Sequence, residues 1–229
     1  MYKKIIIYIL FLFSAIIFYS NHLIFAQTVS FQEALAREGL TEEDYNEITL
    51  YYYKNPQPDK LISVLKMNLT EEEFLADKIH FSLFAYFIST VAHDNRDFLE
   101  KLKEIKPDLP QPQKNALAGI ISEAENFKSA TPSSPFDLDY LWVEFIATGK
   151  EKPIRKIISV LDYPTPEKSK TGLTDIDVNT ALLISSAQWS LGSNAEQHEK
   201  VNEILKDEFV YASGIRRERL EKILQTVNK

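Results

Sequence analysis

The apolar residues of this 229-residue chain are spaced for helices and not for strands. After residue 26 no stretch alternates apolar and polar residues as a half-buried strand does, and neither Asn-Gly nor Asp-Gly, the commonest hairpin turns, occurs. The ten prolines fall between apolar segments or in their first turns, where a helix tolerates them. The pattern predicts an all-α protein.

We predict about 10–11 helices from the apolar spacing and from helix start and stop signals. Capping-box sequences begin at Ser30, Thr70 and Ser193. Glycines expected just past helix ends are Gly39, Gly149, Gly192 and Gly214. The predicted helices are 31–38, 42–54, 58–67, 71–92, 96–105, 112–127, 138–148, 152–161, 176–191, 194–207 and 215–227.

A weak internal repeat favours helical hairpins. From Tyr51 to Leu65, and again from Phe145 to Leu161, an aromatic-rich helix stops at a polar turn and an amphipathic helix follows. One such hairpin cannot bury its own apolar face, so neighbouring hairpins must pack together. We therefore expect stacked antiparallel helical hairpins, as an irregular α-solenoid-like array or a helical bundle. Residues 27–229 are expected to form a single domain, with a possible sub-domain break at 129–137.

Two segments carry a resemblance to other proteins. Leu141 to Leu161 and the run Trp189-Ser190-Leu191-Gly192-Ser193-Asn194-Ala195 resemble exported bacterial all-helical proteins that have no assigned activity. The resemblance implies a helical fold and adds only to the prediction of the fold. It carries no catalytic residues across.

The first 26 residues have the three parts of a secretory signal peptide. Lys3 and Lys4 precede an apolar run from Ile5 to Tyr19, and Ala26 is a small residue at the expected cleavage position. We predict a periplasmic or secreted protein with no membrane span once the signal is removed. The alternative is an uncleaved N-terminal anchor, because residues 5–25 approach the length that crosses a bilayer.

Composition and spacing exclude several kinds of site. The chain has no Cys, which removes disulfides, thiol nucleophiles and Cys-ligated zinc. Its net charge of −7 argues against a nucleic-acid partner, since such affinity comes mainly from cations on phosphates. No His pair has metal-binding spacing and no glycine-rich phosphate loop occurs. We therefore predict no metal, no cofactor and no identifiable catalytic residue, and the sequence leans away from an enzyme without deciding the question.

Two polar residues in apolar helices are candidate binding residues. Glu144 lies in a helix that is apolar around most of its circumference, and His80 lies between Ile79 and Phe81. One interpretation makes them an acid–base or ligand-anchoring pair in a cleft. The other gives each a structural partner: Arg155 or Lys156 for Glu144, and Asp77 or a backbone carbonyl for His80.

Aromatic residues supply the other candidates. Three consecutive tyrosines cannot all face one core, so Tyr51 or Tyr52 is expected to reach a surface or groove that contacts a partner. Trp142 and Trp189 are expected in the core. The basic run at 216–219 is expected to be the solvated face of a terminal helix, with a partner-docking tip as the alternative.

These observations favour an exported, non-catalytic helical scaffold that binds a protein or peptide partner. One alternative is a small-molecule or lipid carrier with an apolar cavity between helices. A second is an enzyme that uses dispersed carboxylates such as Glu144. The sequence leaves the oligomeric state open.

Overall fold

The computed structural model describes residues 27–166 and 175–227. Of these residues 84% are helical, and no strand occurs among them. The prediction of an all-α protein is confirmed. The predicted signal peptide lies outside the described residues. Across the two described ranges, no helix has both the length and the apolar character needed to cross a membrane.

The described chain divides into two compact units. We call residues 27–129 and 142–150 the N-terminal unit, and residues 130–141, 151–166 and 175–227 the C-terminal unit. One boundary lies between Ser129 and Ala130, at the start of the segment where the sequence suggests a break. The expectations of a single domain and of stacked hairpins stay predictions.

The N-terminal unit contains seven helices and half of an eighth. They are α1 (Gln27–Arg37), α2 (Glu42–Tyr51), α3 (Pro58–Thr70), α4 (Glu72–Ala76), α5 (Lys78–Asp94), α6 (Arg96–Ile105), α7 (Gln111–Glu125) and the second half of α8 (Pro135–Thr148). Short 3-10 turns follow α2 and α6, at Tyr52–Lys54 and Lys106–Asp108. Helix α5 packs against both α6 and α7. The core of the N-terminal unit includes Leu61, Val64, Leu65, Ile88, Phe98, Leu102 and Leu117.

The C-terminal unit contains the first half of α8 and four further helices. They are α9 (Glu151–Ser159), α10 (Asp175–Gln197), α11 (Glu199–Tyr211) and α12 (Gly214–Val227), with a 3-10 turn at Val160–Asp162. Helix α10 packs against α11 and α12. The fully buried side chains here include Leu138, Ile154, Ile157, Ala187, Leu191 and Leu220.

Short polar side chains start three helices of the N-terminal unit. The Thr41 hydroxyl accepts the Asp44 N–H at 3.0 Å, while the Asp44 carboxylate accepts the Thr41 N–H at 2.9 Å. Asp77 accepts from the N–H groups of Ile79 and His80 at the start of α5. Asn95 caps α6. These bonds satisfy amide donors that a helix start leaves without partners inside the helix.

The three capping boxes predicted from sequence are wrong. Ser30 lies inside α1, Ser193 lies inside α10, and Thr70 is the last residue of α3. The Thr70 hydroxyl instead donates to the Met67 carbonyl at 2.7 Å. A hydroxyl residue inside a helix can bond a carbonyl of the preceding turn, so the spacing alone does not mark a start.

Two helix boundaries also differ from expectation. Asp77 caps a new helix and so divides the predicted 71–92 segment into α4 and α5, which makes twelve α-helices in the described ranges. Gly192 does not end a helix, because α10 continues to Gln197. Gly149 does adopt a positive φ, of 63°, and a Cβ there would lie 2.9 Å from the ring of Tyr53. Glycine at this position therefore meets both a backbone and a packing requirement.

Candidate functional site

The three consecutive tyrosines do not follow one helical spacing. The chain changes from α-helix to a 3-10 turn at Tyr52, whose side chain is 3% exposed and packs edge-on against Phe87 at 5.7 Å. Burial raises the pKa of the Tyr52 hydroxyl to about 12. The expectation that Tyr52 lines a groove is wrong. Tyr51 is half-buried, with the Lys54 ammonium 4.8 Å from its ring centre.

His80 lies at the exposed start of α5. Its Nδ1 is 2.6 Å from Asp77 Oδ2, and the Asp77 carboxylate also caps the helix. The hydrogen bond from His80, together with those from the helix amides, lowers the pKa of Asp77. This is the Asp77 bond that the structural interpretation of the sequence expected for His80.

Glu144 is the buried carboxylate of the N-terminal unit, at 5% exposure. The Tyr86 hydroxyl donates to Oε1 at 2.6 Å and the Ser129 hydroxyl donates to Oε2 at 2.7 Å. Tyr86 Oη is also 3.2 Å from the Lys128 carbonyl oxygen. Glu144 therefore ties the end of α8 to α5 and to the segment after α7.

His80 and Glu144 are not brought together. The His80 imidazole bonds Asp77 at the start of α5, whereas the Glu144 carboxylate bonds Tyr86 farther along the same helix. His80 and Tyr86 are six residues apart on α5, which is about 9 Å along the axis. The two residues do not form the acid–base pair that one interpretation of the sequence proposed.

Glu144 belongs instead to a polar seam along one face of α5. Tyr86, Ser89 and His93 recur there at helical spacing. The Ser89 hydroxyl donates to the Ile120 carbonyl at 3.0 Å, and His93 Nδ1 lies 3.1 Å from the Ala124 carbonyl oxygen. The rings of Tyr86 and His93 both pack on Phe127, at 5.4 and 5.0 Å. The spacing of these three residues was the sequence signal that could have revealed the seam.

A second carboxyl near the seam has a perturbed proton affinity. Glu123 Oε2 is 3.3 Å from the Ser89 hydroxyl, which donates to it. Partial burial raises the pKa of Glu123, and this hydrogen bond opposes the rise. In the seam, the Tyr86 hydroxyl on α5 donates to Glu144 on α8, and the Ser89 hydroxyl on α5 bonds acceptors on α7. These bonds join α5 to α7 and α8.

The carboxyl of Asp139 has a strongly raised pKa. It lies in the first half of α8, is half-buried, and has no hydrogen bond or ion pair among residues 27–166 and 175–227. Burial raises its pKa to about 7. No sequence motif marks Asp139, because its raised pKa depends on burial.

The basic run at 216–219 is less exposed than its composition suggests. Arg219 is 6% exposed, and its guanidinium donates to the carbonyls of Leu161 and Tyr163 at 2.9 and 2.6 Å and to the Thr165 hydroxyl at 2.7 Å. Burial lowers the pKa of Arg219. The expectation that this run is a solvated face is wrong for Arg219, because its long side chain reaches a loop that follows α9.

The corner between α11 and α12 carries an exposed apolar patch. Val210 is 66% exposed and Tyr211 is 89% exposed. The guanidinium of Arg217 stacks on Phe209, with its carbon 4.3 Å from the ring centre, and Nη1 donates to the carbonyls of Phe209 and Ala212 at 3.1 and 3.4 Å. We call Phe209, Val210, Tyr211 and Arg217 the aromatic tip.

Two other features bear on function. Glu33, Ala36, Arg37 and Glu71 line an open depression in the N-terminal unit, where Arg37 and Glu71 pair at 3.8 Å. Its charged lining differs from the apolar cavity that a lipid carrier requires. In the part of the chain that the structure describes, no three His, Asp or Glu side chains converge as metal ligands.

Comparison with protein-family models finds no match, and comparisons with curated proteins and with solved structures find none either.

Proposed function

We propose that this is an exported, non-catalytic helical protein that binds a protein or peptide partner through the aromatic tip. The observation that carries the proposal is the exposure of Tyr211 and Val210, at 89% and 66%, at the end of α11. Tyrosine and arginine are the residues most often found at the energetic centre of protein interfaces. The aromatic tip contains one tyrosine and one arginine, Tyr211 and Arg217, together with the apolar side chains of Phe209 and Val210.

The tip is also held in place before a partner arrives. Arg217 is fixed by the Phe209 ring beneath it and by the two carbonyls that accept from Nη1. Tyr211 is the last residue of α11, so its backbone is fixed by the helix. A surface that is already ordered loses little conformational entropy on binding, which supports a binding role.

The alternative functions have less support from the described residues. The polar seam consists of donors and acceptors that bond one another, and its buried carboxylate accepts two hydroxyls. The open depression is charged. The carrier and enzyme hypotheses stay predictions.

Site-directed photo-crosslinking tests the proposal. A photoreactive phenylalanine at position 211 should crosslink to one discrete partner in cells that express the full chain, and the adduct should disappear when Val210→Ser is added. The same probe at exposed Ile79 on α5 is the matched control. Mass spectrometry identifies the crosslinked partner peptide. Equal labelling from positions 211 and 79, or none from 211, would contradict the proposal.

Export is the second part of the proposal, and the basic, apolar and small-residue order of residues 1–26 supports it. Intact-mass analysis of protein from the cell envelope should reveal a chain that begins at Gln27. A chain that retains Met1 and pellets with membranes would support the anchor instead.

A further inference from the structure

The three arginines at the start of α12 have different environments. Arg216 pairs with Asp162 and with Glu208, its Nη1 lying 3.3 Å from Glu208 Oε2. Arg219 is buried against a loop. Within the described ranges Arg217 has no carboxylate partner, and its side chain is on the exposed corner beside Tyr211. Among the described residues Arg219 has no ion pair either, but it is buried, so Arg217 carries the exposed charge of this run that no carboxylate pairs with.

The hydrogen bonds of Arg217 leave a specific edge of the guanidinium available. Nη1 donates to the Phe209 and Ala212 carbonyls, whereas Nε and Nη2 have no acceptor among the residues that the structure describes. The Nε and Nη2 donors point in parallel, and two parallel N–H groups match the two oxygens of a carboxylate. Stacking on Phe209 fixes the plane of this edge.

We propose that the partner is an acidic peptide segment, in which an Asp or Glu carboxylate binds Arg217 and an adjacent apolar side chain packs on Val210 and Tyr211. This inference rests on the proposed function, because it names the chemistry of the partner for the same tip. The positive charge of Arg217 favours a carboxylate on the partner. The exposed Val210 and Tyr211 favour an apolar side chain next to that carboxylate. Arg217 is then the specificity-determining residue and Tyr211 the apolar anchor.

The probe is a displayed library of random linear peptides, selected on the full chain immobilised at one end. Selected peptides should contain an Asp or Glu next to an aromatic or aliphatic residue. Their dissociation constants are then measured with the wild-type chain and with Arg217→Gln, Tyr211→Ser and Phe209→Leu. Arg96→Gln is the matched control, since Arg96 is an exposed arginine at the start of α6.

A double-mutant cycle supplies the decisive measurement. Arg217→Gln and replacement of the peptide carboxylate by its amide should each weaken binding by about tenfold or more, the range of one charge-assisted bidentate contact. Their combination should add little further loss, because both changes remove the same contact. Phe209→Leu should weaken binding of the acidic peptide more than binding of its amide analogue. Arg96→Gln should change neither dissociation constant.

The outcomes separate this inference from the proposed function. If selected peptides lose binding on Tyr211→Ser but contain no acidic residue and ignore Arg217→Gln, the tip binds peptides and the carboxylate inference is overturned. If no selected peptide depends on Tyr211, the proposed function itself is overturned. Binding of the chain to phosphatidylglycerol vesicles through Arg217, without selection of acidic peptides, also overturns the inference. Thermal unfolding of each variant confirms that the chain is folded before binding is compared.

Discussion

Among the described residues, the N-terminal unit buries the carboxylate of Glu144, whereas the C-terminal unit buries the guanidinium of Arg219. In the first, Glu144 accepts from Tyr86 and Ser129. In the second, Arg219 crosses to the loop at 161–165 and donates to two carbonyls and a hydroxyl. Both arrangements avoid the cost of burying a polar group without a partner.

The difference concerns which part of the chain each arrangement fixes. The Tyr86–Glu144 bond of the N-terminal unit joins α5 and α8, whose apolar residues contribute to the same core. Arg219 instead holds the 3-10 turn at Val160–Asp162 and the segment 163–165 that follows it, which has no regular structure. We expect loss of the seam to weaken a packed interface and loss of Arg219 to release a loop.

The largest expected effect compares the two tryptophans. Trp142 in the N-terminal unit is buried, while Trp189 in the C-terminal unit is only half-buried, which corrects the expectation that both lie in the core. Trp142→Ala should lower the free energy of unfolding by about 3–5 kcal/mol, through lost burial and the cavity left behind. Trp189→Ala should cost less than half as much. Denaturant midpoints that rank them in the opposite order would contradict the assignment.

The next effect concerns pH and Asp139. Its folded pKa, about 7, lies above the ordinary value of 3.8, so the folded chain binds the proton more tightly than the unfolded chain. This stabilisation is complete below about pH 4 and is lost as the pH rises towards 7. Asp139→Asn should therefore be more stable than wild type at pH 8, by up to about 4 kcal/mol.

The measurement is the free energy of unfolding of both chains from pH 4 to 8. Wild type should lose stability across this interval relative to Asp139→Asn, and the difference should level off as the pH approaches 8. Glu218→Gln, on exposed α12, is the control for a lost carboxylate charge. A constant difference between wild type and Asp139→Asn would show that Asp139 does not titrate in this range.

Arg219→Met tests the cationic arrangement of the C-terminal unit. Methionine keeps much of the apolar length but removes three donor contacts, so stability should fall by about 2–3 kcal/mol. Hydrogen exchange should increase at 161–165. Arg217→Met, two residues earlier and exposed, should change stability by less than about 1 kcal/mol. Equal effects of the two changes would show that burial of Arg219 contributes nothing.

The smallest effects compare two tyrosines of the N-terminal unit. Tyr86 donates to Glu144, whereas the buried Tyr52 hydroxyl has no hydrogen-bond partner among the described residues. Tyr86→Phe should lower stability by about 1–2 kcal/mol, because Glu144 loses a donor. Tyr52→Phe should raise it by up to about 1 kcal/mol, since an unpaired buried hydroxyl is removed. Thermal unfolding of the two variants in parallel measures the signs. A Tyr86→Phe variant at least as stable as wild type would refute the seam, whereas a destabilised Tyr52→Phe variant would refute the unpaired Tyr52 hydroxyl.

The sequence by itself determined the helical class and most helix positions, because apolar spacing and proline placement act over a few neighbouring residues. Gly149 was identified as a helix end for the same local reason. Local patterns were less reliable at helix starts. Ser193 has the spacing of a capping box but lies inside α10, where packing against α11 and α12 continues the helix through Gly192.

Only the tertiary structure decided which polar and aromatic residues are buried. Glu144 was recognised from its apolar helix, but its partners Tyr86 and Ser129 are 58 and 15 residues away. Tyr51 or Tyr52 was expected at a surface because three consecutive tyrosines cannot all face one core. Only the structure shows that Tyr52 is the buried one, packed against Phe87 where the α-helix changes to a 3-10 turn. No motif pointed to Asp139, Val210 or Tyr211, while Arg217 belongs to the basic run for which a partner-docking tip was the alternative. Exposure and proton affinity depend on which distant segments cover a side chain. The physical reason is range: helix formation is set by neighbours in the chain, whereas burial is set by neighbours in space.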